Sequence, residues 1–396
     1  MNHKEMVLAA LRGESVPGIP YVPRLDIWYK ANKYNGTLPV KYRNAGLIDI
    51  VDDLGIGFHA VVPDFRDFDT GDGDIDLGLG IHRFRAAPYK SLLHNVERKV
   101  TKKGGVTAVE YTTPHGKIST KVLYDENMRR SGSTLAHTLE YPVKGANDFK
   151  ALGYIFKNIE VVPEYGGYSA YKEYIGGRGA VVAFNSLCAS PMHYILKELM
   201  PADEFFYASY DYPDELEQLA ADIAAYYHRA FKTAADCPCE IVLSGANYDS
   251  AITPPPFFEK YIMNELRAQA DILHKQNKLL LTHTDGENRG LLGHYLNSGF
   301  DIADSICPAP MTSMGLREIR EAFGGKIAVW GGIPSVCVLQ ESMSDYEFEK
   351  YINAMMENTG GGVRLVFSIA DTTPPGAKFE RIVKLNKIIE SFGPVK

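Results

Sequence analysis

Residues 278–288 read KLLLTHTDGEN, an apolar run that gives way to polar side chains. The apolar residues 279–281 predict a short buried strand that carries His283 and Asp285 at its carboxyl end. Because side chains two residues apart in a strand point the same way, these two would share a face. An imidazole and a carboxylate so placed can bind a metal ion or transfer a proton. The alternative is structural: Asp285 and Gly286 form a turn, and Asp285 caps the following helix.

Strands and helices alternate on both sides of this segment. Each predicted strand is apolar throughout its middle, which is typical of strands covered on both faces and hence of a parallel α/β sheet. Eight such strands separated by helices close naturally into a (β/α)8 TIM barrel. An open doubly wound sheet is the alternative, but no glycine fingerprint follows the first strand. The predicted strands are residues 21–28, 58–62, 179–184, 240–243, 279–283, 302–307, 327–331 and 363–369.

Residues 82–125 interrupt the alternation of strands and helices. Polar residues there alternate with β-branched ones, and turns are expected near Gly104 and Gly116. This pattern is typical of antiparallel hairpins. We therefore predict an antiparallel β-meander inserted after the second strand. No linker or low-complexity segment divides the chain, so residues 1–396 are predicted to form a single barrel domain.

Composition narrows the range of partners. The chain is 45% hydrophobic and 23% charged, which is ordinary for a globular protein with a large core. Its net charge of −7 argues against nucleic acid as a partner. No apolar run approaches the roughly 20 residues that span a bilayer, so no membrane is expected. The five cysteines are scattered and odd in number, which favours a reducing, cytoplasmic setting. A homodimer is one option that the sequence leaves open.

In a barrel of this kind the active site forms at the carboxyl ends of the strands. Polar and titratable residues stand at several of these ends and would converge there from different strands. They are Arg24, Asp26, Trp28, Asp64, Asn185, Cys188, Asn247, Tyr248, Asp249, His283, Asp285, Cys307, Ser368 and Asp371.

Three of these residues make a candidate metal site. His283, Asp285 and Cys307 come from neighbouring predicted strands, so they could meet. One imidazole, one carboxylate and one thiolate would leave an open position on a tetrahedral zinc ion. The alternative for Cys307 is a small buried apolar side chain.

Four longer stretches carry a family resemblance. They are LAALRGESVPGIPYVP at 8–23, HTDGEN together with LLGHYLNSGFDIADSICPAPM between 283 and 311, GKIAVWGGIPS at 325–335, and ADTTPPGAKFERIVKL at 370–385. In these stretches the chain resembles the uroporphyrinogen decarboxylase superfamily, which implies a (β/α)8 barrel.

The superfamily contains decarboxylases and cobalamin-dependent methyltransferases. The decarboxylases have an arginine-rich entry after the first strand and a histidine in the last loop. This chain has the single Arg24 at that entry and no histidine at 368–371. Some of the methyltransferases bind zinc with His-x-Cys and a later cysteine. Here His283-x-Asp285 stands at the first place, and an oxygen-rich set of this kind suits polarising an oxygen atom.

The resemblance therefore implies a methyltransferase that demethylates a small methoxylated molecule, such as an aryl methyl ether. It would pass the methyl group to the Co(I) cobalamin of a separate corrinoid protein. Zinc would bind at His283, Asp285 and Cys307. The alternative functions are a decarboxylase-like lyase acting on a carboxylated substrate and a binding protein without catalytic activity.

The remaining strand-end residues receive roles in the same scheme. Asp371 and Asp249 are predicted to act as the catalytic acid or to contact the substrate. The residues predicted to line the substrate pocket are Arg24, Trp28, Asn247 and Tyr248.

Overall fold

Strands and helices alternate through the described part of the chain, which comprises residues 1–61 and 73–396 of this computed structural model. The strands are β1 (Tyr89–Leu93), β2 (Glu97–Lys103), β3 (Val106–Thr113), β4 (Gly116–Leu123), β5 (His137–Glu140), β6 (Ile159–Pro163), β7 (Ala183–Ser186), β8 (Ile241–Ala246), β9 (Leu279–His283), β10 (Ile302–Ile306), β11 (Ala328–Pro334) and β12 (Leu365–Ala370).

None of the helices in the described ranges is both long and apolar enough to cross a membrane. The helices flank the strands. They are α1 (His3–Arg12), α2 (Asp26–Asn35), α3 (Leu47–Leu54), α4 (Glu126–Arg130), α5 (Asp148–Lys157), α6 (Tyr165–Ile175), α7 (Pro191–Tyr194), α8 (Ala202–Asp211), α9 (Pro213–Asp236), α10 (Pro255–Phe257), α11 (Asn264–His274), α12 (Leu292–Ser298), α13 (Leu316–Phe323), α14 (Asp345–Glu357) and α15 (Phe379–Glu390).

A parallel sheet of six strands forms the centre of the fold, in the order β7-β8-β9-β10-β11-β12. Nearly every residue in these strands is buried, as expected for parallel strands that are covered on both faces. The register places His283 beside Asp304 and Asp304 beside Trp330. These three side chains therefore share one face of the sheet.

The N-terminal segment 20–22 lies along the free edge of β12. The amide of Val22 donates to the carbonyl of Phe367 at 2.8 Å, and the amide of Phe367 donates to the carbonyl of Pro20 at 2.8 Å. Tyr21 and Phe367 form an isolated parallel bridge. Where the first strand was predicted, over 21–28, the structure therefore has this bridge and no strand.

Residues 57–60 lie between that segment and the opposite edge of the sheet. Gly57 donates its amide to Tyr21 O at 2.9 Å, and the amide of Val182, just before β7, donates to Ala60 O at 3.1 Å. Backbone hydrogen bonds therefore lead from β12 through both segments towards β7. The sheet itself has six strands, so the mixed α/β fold is established and the closed eight-stranded barrel stays a prediction.

The prediction of a strand over 21–28 was wrong at its end, because α2 begins at Asp26 and buries Trp28 and Ala31, three residues apart on one helical face. The predicted end of the second strand, Val62, and the candidate Asp64 lie outside the described residues.

The predicted meander is present with different bounds. Strands β2 to β5 form a four-stranded antiparallel sheet, which extends beyond the predicted 82–125 to Glu140. Strand β1 does not join it and pairs with β6 instead. The buried Asp76 accepts hydrogen bonds from Arg83, Arg98 and the Tyr111 hydroxyl, and so attaches the preceding loop to this sheet.

Candidate active site

His283 ends β9, and its closest polar contact is on the next strand. Its Nδ1 lies 2.6 Å from Oδ2 of Asp304, the residue beside it in the parallel register. Both side chains are buried. Because Asp304 accepts a hydrogen bond from Nδ1, the ring is fixed with Nε2 directed away from β10.

The other nitrogen of His283 faces the loop after β12. Nε2 lies 3.1 Å from Oδ1 of Asp371. The same oxygen accepts hydrogen bonds from Ser305 Oγ at 3.2 Å and from Arg24 Nη1 at 3.3 Å. One carboxylate oxygen thus gathers donors from three different parts of the chain.

Charge in this cluster is closely balanced. Burial alone would lower the pKa of His283, but Asp371 and Asp304 outweigh burial and raise that pKa to about 10. Burial would likewise raise the pKa of Asp371, yet His283 and Arg24 hold it well below its ordinary value. The pKa of Asp304 is also lowered, because contacts with His283 and His59 outweigh its burial. At neutral pH the structure therefore contains an imidazolium between two carboxylates.

Asp285 lies in the same group, just beyond the carboxyl end of β9. Burial and the negative charge of Asp371 raise its pKa. His283, Asp285 and Asp371 each offer one ligand atom, and these atoms lie within 4.8 Å of one another. One nitrogen and two oxygen donors suit a divalent cation such as zinc, provided that His283 loses the proton on Nε2 and its hydrogen bond to Asp371 opens. The predicted pair His283 and Asp285 is therefore brought together, with Asp371 as its third member.

Cys307 does not join this group. Its Sγ lies 3.5 Å from Met311 Sδ and 3.9 Å from the carbonyl of Ala370. Burial, followed by the charge of Asp285, raises the pKa of the Cys307 thiol to about 12. Of the three predicted ligands, the described structure groups His283 and Asp285 with Asp371 and leaves Cys307 outside this set.

The adjacent residues Asn247 and Tyr248 differ in burial. Asn247 is exposed at the end of β8 with a positive φ of 59°, and its amide donates to the carbonyl of His283 at 2.8 Å. Tyr248 is fully buried, and its hydroxyl lies 2.7 Å from Thr282 Oγ1. Tyr248 therefore packs in the core, and its predicted place in a pocket wall stays a prediction.

Asp249, a predicted catalytic residue, uses both carboxylate oxygens within its own loop region. Oδ1 accepts the amide of Ala251 at 2.8 Å, and Oδ2 accepts the amide of Glu287 at 3.0 Å. The side chain thus joins the loop after β8 to the loop after β9. This arrangement favours a structural role for Asp249.

Arg24 and Trp28 have different surroundings. Arg24 is buried and donates to Asp26 at 3.2 Å as well as to Asp371. Trp28 is buried and stacks on Phe379 with ring centroids 5.6 Å apart. Arg24 therefore belongs to the cluster, whereas Trp28 packs α2 against α15, and its predicted place in the pocket stays a prediction.

Asp304 and Ser305 were missed by the sequence analysis. Both lie in the segment IADSI at 302–306, which was interpreted as an ordinary buried strand. A charged residue inside such a strand requires a partner, because an unpaired buried charge is very costly. That signal could have identified Asp304, although only the strand register shows that the partner is His283.

No protein-family profile and no curated protein sequence matches this chain. Among solved structures, a methyltransferase from Methanosarcina mazei is similar with a TM-score of 0.51 and 14% sequence identity. The match covers 99% of this chain and 98% of that chain. The two proteins therefore share a fold over their whole lengths.

Proposed function

We propose that this protein is a methyltransferase that demethylates a small methoxylated aromatic molecule and passes the methyl group to a Co(I) corrinoid protein. The observation that carries the proposal is the cluster of His283, Asp285 and Asp371 at the carboxyl ends of the parallel strands. The fold shared with a methyltransferase supports it. We infer further that segments 20–22 and 57–60 complete a closed (β/α)8 barrel around this cluster.

The chemical difficulty in such a reaction is the leaving group. When the methyl carbon–oxygen bond breaks, its electron pair stays on oxygen and produces a phenolate, whose conjugate acid has a pKa of about 10. The pKa of His283 is also about 10. The protonated ring can therefore supply a proton to the departing oxygen, and the products are a phenol and a methylated cobalt centre.

The surrounding residues prepare His283 for this role. Asp304 holds the ring through Nδ1 and leaves Nε2 facing the cluster. Arg24 and Ser305 hold Asp371 in place from two sides. A divalent cation bound by His283, Asp285 and Asp371 would instead act as a Lewis acid on the ether oxygen.

The nucleophile in this scheme comes from the partner's cobalt. Two cysteines near the carboxyl ends of the strands, Cys188 and Cys307, have pKa values raised by burial. Neither is therefore a thiolate that could compete for the methyl group. Decarboxylation finds less support, because Arg24 is already shared between Asp26 and Asp371 and would have to leave them to bind a substrate carboxylate.

The proposal is tested by measuring methyl transfer to free cob(I)alamin from a panel of methoxyarenes. Formation of methylcobalamin is followed by absorbance. We expect transfer with the native protein and at least 100-fold less with His283→Gln, since general acid catalysis contributes about 10²–10⁴-fold. The matched control is His274→Gln, because His274 also contacts an aspartate but is exposed.

Two further results determine how the methyl-transfer assay is interpreted. Elemental analysis of the purified protein distinguishes a Lewis acid role from a proton-donor role for the cluster. Absence of methyl transfer across the panel, both with free cob(I)alamin and with corrinoid proteins, would count against the proposed function.

A further inference from the structure

A pair of cysteines lies just before β8, at the opposite end of the parallel sheet from His283. Cys237 caps the carboxyl end of α9, and Cys239 follows it after a single proline. The amide of Cys239 donates to the carbonyl of Cys237 at 2.7 Å, which closes a γ-turn. This turn folds the chain back within three residues, and the two thiols contact each other through a hydrogen bond.

Both thiols are reduced, and they differ in depth. Cys237 is fully buried, whereas Cys239 is 6% exposed. The Sγ atom of Cys239 also lies 3.9 Å from the carbonyl of Ala234, at the end of α9. The pair is therefore held between backbone groups, and Cys239 gives a small ion a way in from the surface.

A lysine side chain supplies positive charge beside the pair. Lys278 is half-buried, and its ammonium group donates to the carbonyl of Cys237 at 2.8 Å and to that of Ala235. In the part of the chain that the structure describes, no carboxylate pairs with this ammonium group. A charge withdrawn from water requires an opposite charge nearby, and a thiolate of the pair can provide it.

The pair is also easier to ionise than a single buried thiol. The hydrogen bond from Cys237 lowers the pKa of the Cys239 thiol in spite of its burial, and the charge of Lys278 adds to this effect. At Cys337, which has no second cysteine beside it in sequence, burial raises the pKa of the thiol to about 12. The thiolate is the form that binds metal ions, so the pair is prepared for binding in a way that Cys337 is not.

We propose that Cys237 and Cys239 bind a soft monovalent metal ion, Cu(I), as its two thiolate ligands. Thiolates are the ligands that select Cu(I) over harder ions. Binding releases both thiol protons, and two thiolates with one Cu(I) ion carry a single net negative charge, which Lys278 would neutralise. The site lies at the opposite end of the sheet from the catalytic cluster, so the inference does not depend on the proposed function.

Two other uses of the pair fit less well. Zinc takes four ligands in structural sites, and the adjacent carboxylate, Glu240, is already held by Lys4 at 2.7 Å and by Lys172 at 3.0 Å. A disulfide between the two cysteines would be uncharged, and it would leave Lys278 without an anionic neighbour.

A copper titration tests the site. The reduced native protein is titrated with Cu(I) under nitrogen, in competition with the chelator bicinchoninate. We expect a single Cu(I) ion per chain, bound at least 100-fold more weakly in Cys237→Ser and in Cys239→Ser, since even partners outside the ligand shell contribute about 10–100-fold. The matched control is Cys307→Ser, because Cys307 also has a second sulfur atom nearby, in Met311 at 3.5 Å.

The titration has two results that would overturn the proposal. One is native protein that takes no Cu(I) from the chelator. The other is an affinity that falls in Cys307→Ser and is unchanged in Cys237→Ser and Cys239→Ser.

The charge of Lys278 is tested in the same titration. Lys278→Met should weaken Cu(I) binding about 10-fold, as expected for a partner outside the ligand shell, and Lys278→Arg should largely retain the affinity of the native protein. Lys275→Met is the control, since Lys275 is exposed three residues earlier. Equal affinity in Lys278→Met and the native protein would contradict the charge balance on which the choice of a thiolate pair depends.

A measurement on the native protein keeps the proposal testable where a variant fails to fold. X-ray absorption at the copper edge should show two sulfur neighbours and no nitrogen neighbour. Nitrogen neighbours would place the copper at a histidine and overturn the proposal. Neither experiment uses a methyl donor or cobalamin, so both results are independent of the methyl-transfer assay.

Discussion

At the scale of single residues, the behaviour of His283 follows from its two carboxylate neighbours. Asp304 bonds Nδ1 at 2.6 Å and Asp371 faces Nε2 at 3.1 Å, so both ring nitrogens carry protons in the described geometry. Each carboxylate stabilises the charged imidazolium, and together they overcome the cost of burying it. Removing either one should therefore shift the balance towards the neutral ring.

We predict that Asp304→Asn lowers the pKa of His283 by at least one unit from its value of about 10. Asparagine keeps the shape and one acceptor oxygen but removes the charge, and a nearby opposite charge typically shifts a pKa by about 1–3 units. NMR titration of isotope-labelled histidine measures the change. Asp301→Asn is the control, since Asp301 contacts the exposed His274. An unchanged pKa in Asp304→Asn would contradict the proposed coupling.

The raised pKa of His283 also predicts how stability depends on pH. The protonated ring is favoured in the folded state, so its contribution is full below the unfolded pKa of about 6.5. The contribution falls as pH rises and is lost as pH passes the folded value of about 10. The slope in that window is at most roughly 1.4 kcal/mol per pH unit. Urea unfolding between pH 6 and 10, compared with His283→Gln, measures it; parallel curves for the two proteins would refute the prediction.

At the scale of elements, the strand that carries His283 was predicted with the bounds that the structure shows, 279–283. Its apolar run begins and ends sharply, so the hydrophobic pattern alone defines it. The segment 21–28 was different, because its aromatic and apolar residues fit either a strand or a helix. Only contacts such as the stacking of Trp28 on Phe379 show that α2 begins there.

The candidate site was predictable to a similar degree. The spacing of His283 and Asp285 placed both on one strand end, and strand ends converge in a parallel sheet. The role of Asp304 depends on the register between β9 and β10, which the sequence does not encode locally. The same limit applies to Cys307, whose direction at the end of β10 is set by its contacts with the loop.

The inserted sheet depends on one buried charge. Asp76 is fully buried and is held by Arg83, Arg98 and Tyr111. We predict that Asp76→Ala lowers the free energy of unfolding by about 1–3 kcal/mol, because it leaves the buried Tyr111 hydroxyl and two part-buried guanidinium groups without their acceptor. Glu110→Ala is the control on the same sheet, since the Glu110–Lys117 pair is exposed and should change stability little. Chemical denaturation measures both, and equal effects would contradict the assigned role of Asp76.

At the scale of the whole molecule, the two ends of the chain meet the sheet at the same place. Val16 and Val395 exchange backbone hydrogen bonds at 3.1 and 2.9 Å, just before the segment 20–22 that lies along β12. These contacts are far apart in sequence and close together in space. The segment 20–22 itself covers the edge of β12, which would otherwise expose unpaired backbone groups.

If the sheet closes, the amides that join its two edges should be as stable as those at its centre. We predict that the amides of Val22, Gly57 and Val182, which donate across the junction, exchange with solvent as slowly as the amides of β9. Native-state hydrogen exchange measured residue by residue tests this. Amides of β2, an exposed strand at the edge of the inserted sheet, provide the fast reference.

A closed barrel and an open sheet predict opposite exchange rates for the amides that join the two edges of the sheet. In a closed barrel these hydrogen bonds open only with large-scale unfolding, so their protection approaches the free energy of unfolding of the whole protein. In an open sheet they lie at an edge and open by local fraying. Fast exchange at Val22 and Val182 together with slow exchange in β9 would therefore rule out the closed barrel, and with it the enclosed position proposed for His283.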